Sequence, residues 1–225
     1  MPPLLAAIAS FFAVLLMLVG QVSAGAGGAE ETSASDASSG SAWTSKDGDT
    51  RRHVRHVFFV FKADQISKVD VASGLGNIEL TPHKQSEMPK WIRMPDRDIP
   101  DHNPETDVLV IAQIHAKHAE VLNDPTLEPT IEGGVLTVKA VWPEKDYDNS
   151  PHGVDYVVRM PGVTAFELKS GLGDVRVDHA HGAGSAKTGL GDVVLRGQVG
   201  PVDAKTGLGD IDVGFDADHA DHAGR

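Results

Sequence analysis

The chain has 225 residues, no cysteine, and 32 acidic against 20 basic side chains, which gives a formal net charge of −12. Without cysteine it has no disulfides, thiolate metal sites or thiol nucleophiles, and its acidic balance argues against nucleic acid or anionic lipid as the main partner. Aromatic residues make up 5% of the chain, whereas glycines number 24. This composition disfavours a helical core and favours short strands joined by turns, so we expect an all-β fold.

An apolar N-terminal run over residues 4–20 is followed by Val22 and Ala24, which suit cleavage by signal peptidase before Gly25. We therefore predict a signal peptide over residues 1–24 and export to a bacterial periplasm, outer envelope or cell surface, where a chain without thiols has nothing to oxidise. The run has no Lys or Arg before it and approaches the roughly 20 residues that span a bilayer. An uncleaved N-terminal anchor is therefore the alternative, and it is the only membrane contact expected.

Residues 25–52 are rich in Gly, Ala and Ser and predict a disordered linker. Residues 53–215 are expected to form one strand-rich domain, and residues 216–225 a polar tail over its open end. Strand-like patterns cover residues 53–61, 66–80, 107–118, 130–142 and 154–160. Residues 111–122 could also be drawn as a helix, but the β-branched residues at their start and Pro125 after them favour a strand.

Five prolines interrupt the strand pattern between residues 81 and 105. Proline cannot donate a hydrogen bond to a neighbouring strand, so we predict a surface excursion over residues 81–105 and no central strand there. The prolines are Pro82, Pro89, Pro95, Pro100 and Pro104.

Three octets recur at a fixed step of 18 residues. They start at Ser170, Thr188 and Thr206 and read SGLGDVRV, TGLGDVVL and TGLGDIDV, while an earlier copy, SGLGNIEL, stands alone at Ser73. A constant short period marks stacked units that share one core. At about 3.3 Å per residue, a unit of this length makes one coil of a narrow solenoid with strands on two sides. We therefore predict a single-chain β-solenoid at the C-terminal end and a more irregular strand-rich N-terminal part.

Aligned by column, the coils predict which side chains face the core. The inward columns are Leu168, Ala186 and Ala204; Leu172, Leu190 and Leu208; Val175, Val193 and Ile211; and Val177, Leu195 and Val213. A hydroxyl column should bond to itself or to the turn backbone, and it consists of Ser170, Thr188 and Thr206.

The inward parity changes between residues 170 and 175, so the chain must bend at each Gly-Leu-Gly. Glycine suits such a corner because it adopts φ above zero without strain. The corner glycines are Gly171, Gly173, Gly189, Gly191, Gly207 and Gly209. A phosphate-binding loop is not indicated, because Lys187-Thr188 and Lys205-Thr206 follow alanine rather than glycine.

Two charged columns flank the corner, and they are the candidate binding residues. The basic column is Lys169, Lys187 and Lys205, and the acidic column is Asp174, Asp192 and Asp210. Facing each other across the corner, they would neutralise one another as a solvated salt lattice of small worth per pair. The alternative is a repeated site for a polyanion, a polysaccharide or a cation.

The octet pattern S/T-G-x-G-D/N-V/I, after a strand at residues 156–164 that contains Pro161, resembles the bacterial putative-adhesin family of β-solenoid domains, whose function is unknown. The resemblance covers residues 58–215. It implies a cell-surface or envelope role in binding or scaffolding and supplies no catalytic residues. We expect no cofactor, and the sequence leaves the partner open between an envelope polysaccharide and another surface protein. Leucine at the centre of each Gly-Leu-Gly, where the family often has a small polar residue, predicts a differently filled corner.

Histidine pairs offer an alternative function, a metal- or pH-responsive periplasmic binding protein that uses His and Asp clusters. The candidate ligands are His179 and His181, whose strand spacing places both rings on one side. No HExxH motif accompanies them, and the repeat offers too few oxygen ligands per coil for calcium. No GxSxG motif occurs either, so we expect no enzyme.

Overall fold

The computed structural model describes residues 53–83, 88–92, 99–145, 147, 151–163 and 165–216. The predicted signal peptide, the linker up to residue 52 and the tail from residue 217 lie outside these residues. Within them the chain is all-β, with fourteen strands and two short 3₁₀ turns, Ala63–Gln65 and Ala119–Asn123, and no helix long and apolar enough to cross a membrane. The strands are β1 (His53–Lys62), β2 (Lys68–Leu75), β3 (Ile78–Pro82), β4 (Asp107–Ala116), β5 (Thr126–Leu127), β6 (Thr130–Glu132), β7 (Val135–Val141), β8 (His152–Met160), β9 (Ala165–Leu172), β10 (Val175–Asp178), β11 (Gly184–Leu190), β12 (Val193–Gln198), β13 (Val202–Leu208) and β14 (Ile211–Phe215).

The strands form two sheets. Sheet A has the order β1-β4-β8-β3-β10-β12-β14, and sheet B has the order β13-β11-β9-β2-β7-β5, with β6 also paired to β7. From β8 to β14 in sheet A, and from β7 to β13 in sheet B, neighbouring strands are parallel. Antiparallel strands extend the other end of the stack, β4 and β1 in sheet A and β5 and β6 in sheet B.

A strand of sheet B and the strand of sheet A that follows it form one layer of the stack. The layers lie in the order β7/β8, β2/β3, β9/β10, β11/β12 and β13/β14. In the last three layers, residues 18 apart are direct partners, so Lys169 pairs with Lys187 and Lys187 with Lys205. The octet at Ser73, isolated in the sequence, pairs in register with the octet at Ser170. All four octets are therefore aligned.

The core lies between the two sheets and contains three of the four predicted inward columns. Their members in the inner layers have no exposed surface, and they are Leu168, Ala186, Val175, Val193, Val177 and Leu195. In the last layer the same columns open to solvent, and Ile211 is 47% exposed. These segments form strands because they are rich in β-branched and aliphatic residues, which favour strands and alternate with polar residues along the chain.

The fourth predicted column, Leu172, Leu190 and Leu208, does not face the core. These leucines are 43%, 48% and 71% exposed, although their backbones pair in register. The chain bends at this point, and hydroxyl side chains bonded to backbone carbonyls, such as Ser170, fill the inside of the bend. The prediction of an inward leucine column is therefore wrong. The leucines form an exposed apolar row along the outside of the corner.

The corner glycines are required for two different reasons. The second glycine of each octet has positive φ, which is 142° at Gly173 and 137° at Gly191, as the sequence predicts. The first glycine does not, so the prediction of positive φ at Gly171, Gly189 and Gly207 is wrong. These three glycines are needed because layers approach closely. A Cβ atom on Gly189 would lie 2.5 Å from the Gly171 carbonyl oxygen, and one on Gly207 would lie 2.6 Å from the Gly189 oxygen.

The proline-rich excursion begins later than predicted. Pro82 is the last residue of β3, a central strand between β8 and β10. Proline is tolerated there because β10 accompanies β3 only as far as Leu80, so Pro82 has a partner strand on one side only, at Met160 of β8. The prediction that no central strand includes residues 81 and 82 is therefore wrong.

Part of the excursion covers the outer face of sheet A. Ile92 is buried there and, with the partly buried Met88 and Trp91, contributes to a second small core on β1, β4 and β8. The strand residues of this core are Phe58, Leu109, Ile111 and Val157. Both faces of β4 are consequently buried along its whole length, which explains its almost unbroken apolar sequence. The strand prediction for this segment is confirmed as far as Ala116.

Candidate functional site

The predicted acidic column is part of a longer row of side chains that bond one layer to the next. Asp174 Oδ1 accepts a hydrogen bond from the backbone N–H of Asp192 at 2.9 Å, and Asp192 Oδ1 accepts one from the N–H of Asp210 at 2.8 Å. In the same way Asn77 Oδ1 accepts from Asp174 N–H at 2.9 Å, and Asp155 Oδ1 accepts from Asn77 N–H at 2.7 Å. We call these five residues the Asp ladder.

The Asp ladder has a structural role in each layer. Adjacent carboxylates lie about 4.8 Å apart along the stack and would repel one another. Asp155, Asp174 and Asp192 each accept a backbone N–H from the next layer, which compensates the charge and closes the corner of that layer. Asn77 could have been found from its place in the isolated octet. Asp155 could not, because it lies outside any octet.

The hydroxyl column bonds the turn backbone of the preceding layer, as the sequence predicts. Thr188 Oγ1 donates to the Gly173 carbonyl oxygen at 2.7 Å, and Thr206 Oγ1 donates to that of Gly191 at 2.8 Å. Ser170 Oγ repeats the bond to Gly76 at 2.8 Å. The two polar columns thus hold both sides of every corner.

The predicted basic column lies on the outer face of sheet B and is longer than expected. Lys169, Lys187 and Lys205 are strand partners in register, and beyond Ala72 of β2 the row continues to Lys139 of β7. We call the four lysines the Lys stripe. Lys205, Lys187 and Lys169 follow one another at the strand spacing of about 4.8 Å, and Ala72 doubles that interval between Lys169 and Lys139. Lys139 is not followed by an octet, so the repeat does not indicate it.

A row of acidic and polar residues runs beside the Lys stripe. Its members are Asp70, Glu167, Ser185 and Asp203, which are strand partners in that order. Glu167 contacts Lys169 at 2.5 Å and Lys68 at 2.8 Å. Asp203 contacts Lys205 at 3.2 Å and Lys187 at 3.4 Å. Lys169, Lys187 and Lys205 therefore pair with carboxylates on their own face of the sheet, rather than with the Asp ladder across the corner.

These ion pairs shift the titration of the acidic row. Hydrogen bonds from Lys169 and then Lys68 hold the pKa of Glu167 at about 2. The hydrogen bond from Lys205, followed by that from Lys187, lowers the pKa of Asp203. Contact with Glu167 raises the pKa of Lys169. These shifts favour the charged forms of Glu167, Asp203 and Lys169, so the ion pairs of this face are present at neutral pH.

The histidines predicted as weak metal ligands are not on a strand. His179 follows β10 in a turn with φ of 55°, and His181 is exposed beyond it. The strand spacing that would align the two rings therefore does not apply. Among the residues that the structure describes, no group of three or more His, Asp or Glu side chains is placed to hold a metal ion.

A buried polar network adjoins the end of the Asp ladder. Asp155 Oδ2 accepts a hydrogen bond from Gln113 Nε2 at 3.0 Å and lies 3.2 Å from His115 Nδ1. Gln113 also donates to the Trp91 carbonyl oxygen at 3.2 Å, and its Oε1 lies 3.1 Å from His56 Nε2. The network ties the covering segment to sheet A. Sequence reasoning missed it, because these residues come from distant segments.

No known protein family matches the sequence, and no curated protein matches it. Comparison with solved structures finds weak similarity to bacterial proteins. A putative cell adhesion protein from Clostridium sporogenes has 8% identity and a TM-score of 0.34, with 75% of this chain and 100% of that chain covered. A putative adhesin from Parabacteroides distasonis has 8% identity and a TM-score of 0.26, with 73% and 98% covered. A putative adhesin from Bacteroides fragilis has 11% identity and a TM-score of 0.24, with 71% and 95% covered.

Proposed function

We propose that the chain is a non-catalytic, exported β-solenoid with an adhesin-like binding or scaffold role at the bacterial envelope or cell surface. The main support is that the repeated polar residues are bonded to the backbone of the stack. The Asp ladder and the hydroxyl column are bonded to backbone groups of neighbouring layers. Recurring polar residues therefore build a rigid stack, which suits a surface that presents contacts in a fixed array.

The outer face of sheet B is the binding surface in this proposal. The Lys169, Lys187 and Lys205 side chains are 51%, 39% and 66% exposed. A straight row of ammonium groups can bind a linear polymer with regularly spaced carboxylates or sulfates. The neighbouring acidic row keeps the face from attracting anions generally. The ligand class is therefore an anionic envelope polysaccharide.

Removing charge from the Lys stripe should weaken polysaccharide binding without unfolding the chain. We expect the double variant Lys187→Gln/Lys205→Gln to bind polygalacturonate or heparin about tenfold more weakly at low salt, because two of the aligned cations are lost. Binding is measured by biolayer interferometry on immobilised glycan at several salt concentrations. Binding by the parent chain should also weaken as salt rises.

The matched control is Lys90→Gln/Lys117→Gln, which removes the same charge from two exposed lysines away from the stripe. Equal loss of binding in both double variants would mean that only net charge matters. Unchanged binding in the stripe variant would reject the stripe as the site. Adding Lys139→Gln should weaken binding further, because that lysine continues the row.

Export predicts a shorter mature chain. Cleavage before Gly25 removes 24 residues, so intact-mass measurement of the chain from fractionated bacterial cells should match residues 25–225, and the chain should be found outside the cytoplasm. A full-length mass in the inner membrane would identify the uncleaved anchor instead. A full-length mass in the cytoplasm would contradict export.

A further inference from the structure

The last layer of the stack has an unpaired strand edge, on β13, with exposed apolar side chains beside it. β13 pairs with β11, and in the described part of the chain nothing pairs with its other edge. Leu208 of β13 is 71% exposed, and Ala204 is partly exposed although Leu168 and Ala186 of its column are fully buried. We propose that two copies of this chain pair antiparallel along the free edge of β13, so that sheet B continues from one copy into the other.

Backbone geometry identifies the groups that would form the pairing. Gly184 is the strand partner of Val202, and its N–H donates to the Pro201 carbonyl oxygen at 2.9 Å. In a parallel pair, a residue that faces the neighbouring strand uses its N–H and C=O groups to bond the two residues on either side of its partner, here Pro201 and Asp203. The odd-numbered residues of β13 therefore face β11. The N–H and C=O groups of Val202, Ala204 and Thr206 point to the free edge.

The free edge of β13 offers unpaired backbone groups of Val, Ala and Thr, with no proline within the strand. Its two charged side chains, Asp203 and Lys205, are exposed and of opposite sign, so a suitably aligned second copy can match them. The opposite end of the stack differs, because antiparallel strands cover β7 and β8 there. A symmetric pairing of two open ends is therefore favoured over a head-to-tail filament.

Charge selects the register of the pairing. The antiparallel strands must place even-numbered residues opposite even-numbered residues, so the two-fold axis passes through a residue of β13. An axis at residue 203 would place Asp203 opposite its own copy, and an axis at residue 205 would do the same for Lys205. An axis at Ala204 places Asp203 of each copy opposite Lys205 of the other. Both side chains are well exposed, at 49% and 66%, and can form these cross-strand pairs.

Because the chain has no cysteine, a single introduced thiol can report this register. In the proposed dimer the two Ala204 Cα atoms lie about 5.5 Å apart, within the roughly 4.4–6.8 Å that a disulfide spans. The two Val202 Cα atoms are displaced along the strands by about 13 Å. We therefore expect Ala204→Cys to give about tenfold more covalent dimer than Val202→Cys when the full chain is oxidised at micromolar concentration.

A charge exchange tests the same interface without thiols. In the Ala204→Cys background, Asp203→Lys should lower dimer yield about tenfold, and adding Lys205→Asp should restore it, because the opposed charges are again unlike. Circular dichroism checks that each variant is folded. Equal cross-linking of Ala204→Cys and Val202→Cys, or no rescue by the exchange, would overturn the proposal. Cross-linking only after deletion of residues 217–225 would also overturn it, since the tail would then be the occupant.

Discussion

Replacing Gly191 with alanine should destabilise the folded chain by about 3 kcal/mol, the sum of backbone strain and a steric clash. Gly191 has a φ of 137°, which an L-residue with a side chain rarely adopts. An added Cβ would fall on the Gly173 carbonyl oxygen and lie 2.9 Å from Asp174 Oδ1. These atoms belong to the neighbouring layer and cannot move without opening the corner. Urea unfolding followed by circular dichroism measures the change.

The first glycine of the octet supplies a matched control for this clash. A Cβ on Gly74 would have nothing within 4 Å, whereas one on Gly171 would fall on the Gly74 carbonyl oxygen, and neither glycine has positive φ. We expect Gly74→Ala to change stability by less than about 1 kcal/mol and Gly171→Ala to cost about 2 kcal/mol. If the two variants were equally stable, close packing between layers would not explain these glycines.

Period and propensity were sufficient to predict the strands and most of the core. Alternating apolar residues locate β1, β4, β7 and β8, and the step of 18 residues matches the observed strand pairing at Lys169, Lys187 and Lys205. The alternation of apolar residues is a local pattern, and the step of 18 residues recurs at a fixed distance. A single sequence is therefore enough to detect both. The bend at Gly-Leu-Gly breaks the alternation. Alternation counted across the bend therefore assigned Leu172 and its equivalents to the wrong side.

Contacts between segments with no repeat relation could not be predicted. The octet at Ser73 lies between β8 and the octet at Ser170 because the intervening chain leaves the stack and returns to it. The same return brings Asp155 to the Asp ladder and Lys139 to the Lys stripe. The sequence around Asp155 or Lys139 does not indicate which residues lie next to it in the fold. The polar surface was thus predicted in the part built from consecutive repeats and missed in the part built from distant segments.

The Asp ladder and the Lys stripe come from the same repeat but have different environments. Side-chain oxygens of the Asp ladder accept hydrogen bonds from backbone N–H groups, which ties each layer to the next. Lysines on sheet B contact carboxylates of their own face and keep much of their surface in water. Exposed ion pairs contribute little to stability. The Asp ladder therefore stabilises the stack, whereas the exposed ion pairs on sheet B contribute little to its stability.

Stability should depend steeply on position along the Asp ladder. We expect Asp155→Ala to cost about 3 kcal/mol, because a buried carboxylate is removed from the Asn77 N–H, the Gln113 amide and the His115 ring together. Asp192→Ala should cost about 1 kcal/mol, since it removes one exposed hydrogen bond to Asp210.

Asp210→Ala is the matched control for this series, because its carboxylate accepts no bond from a further layer in the described residues. Its effect should stay within about 0.5 kcal/mol. Asp155→Asn retains one acceptor oxygen for the Asn77 N–H but turns an amide toward Gln113, so its cost should lie between those of Asp155→Ala and Asp192→Ala. Urea unfolding at pH 7 measures all four variants. Equal losses at Asp155, Asp192 and Asp210 would show that the ladder acts through net charge, and its bonds between layers would then not hold the stack together.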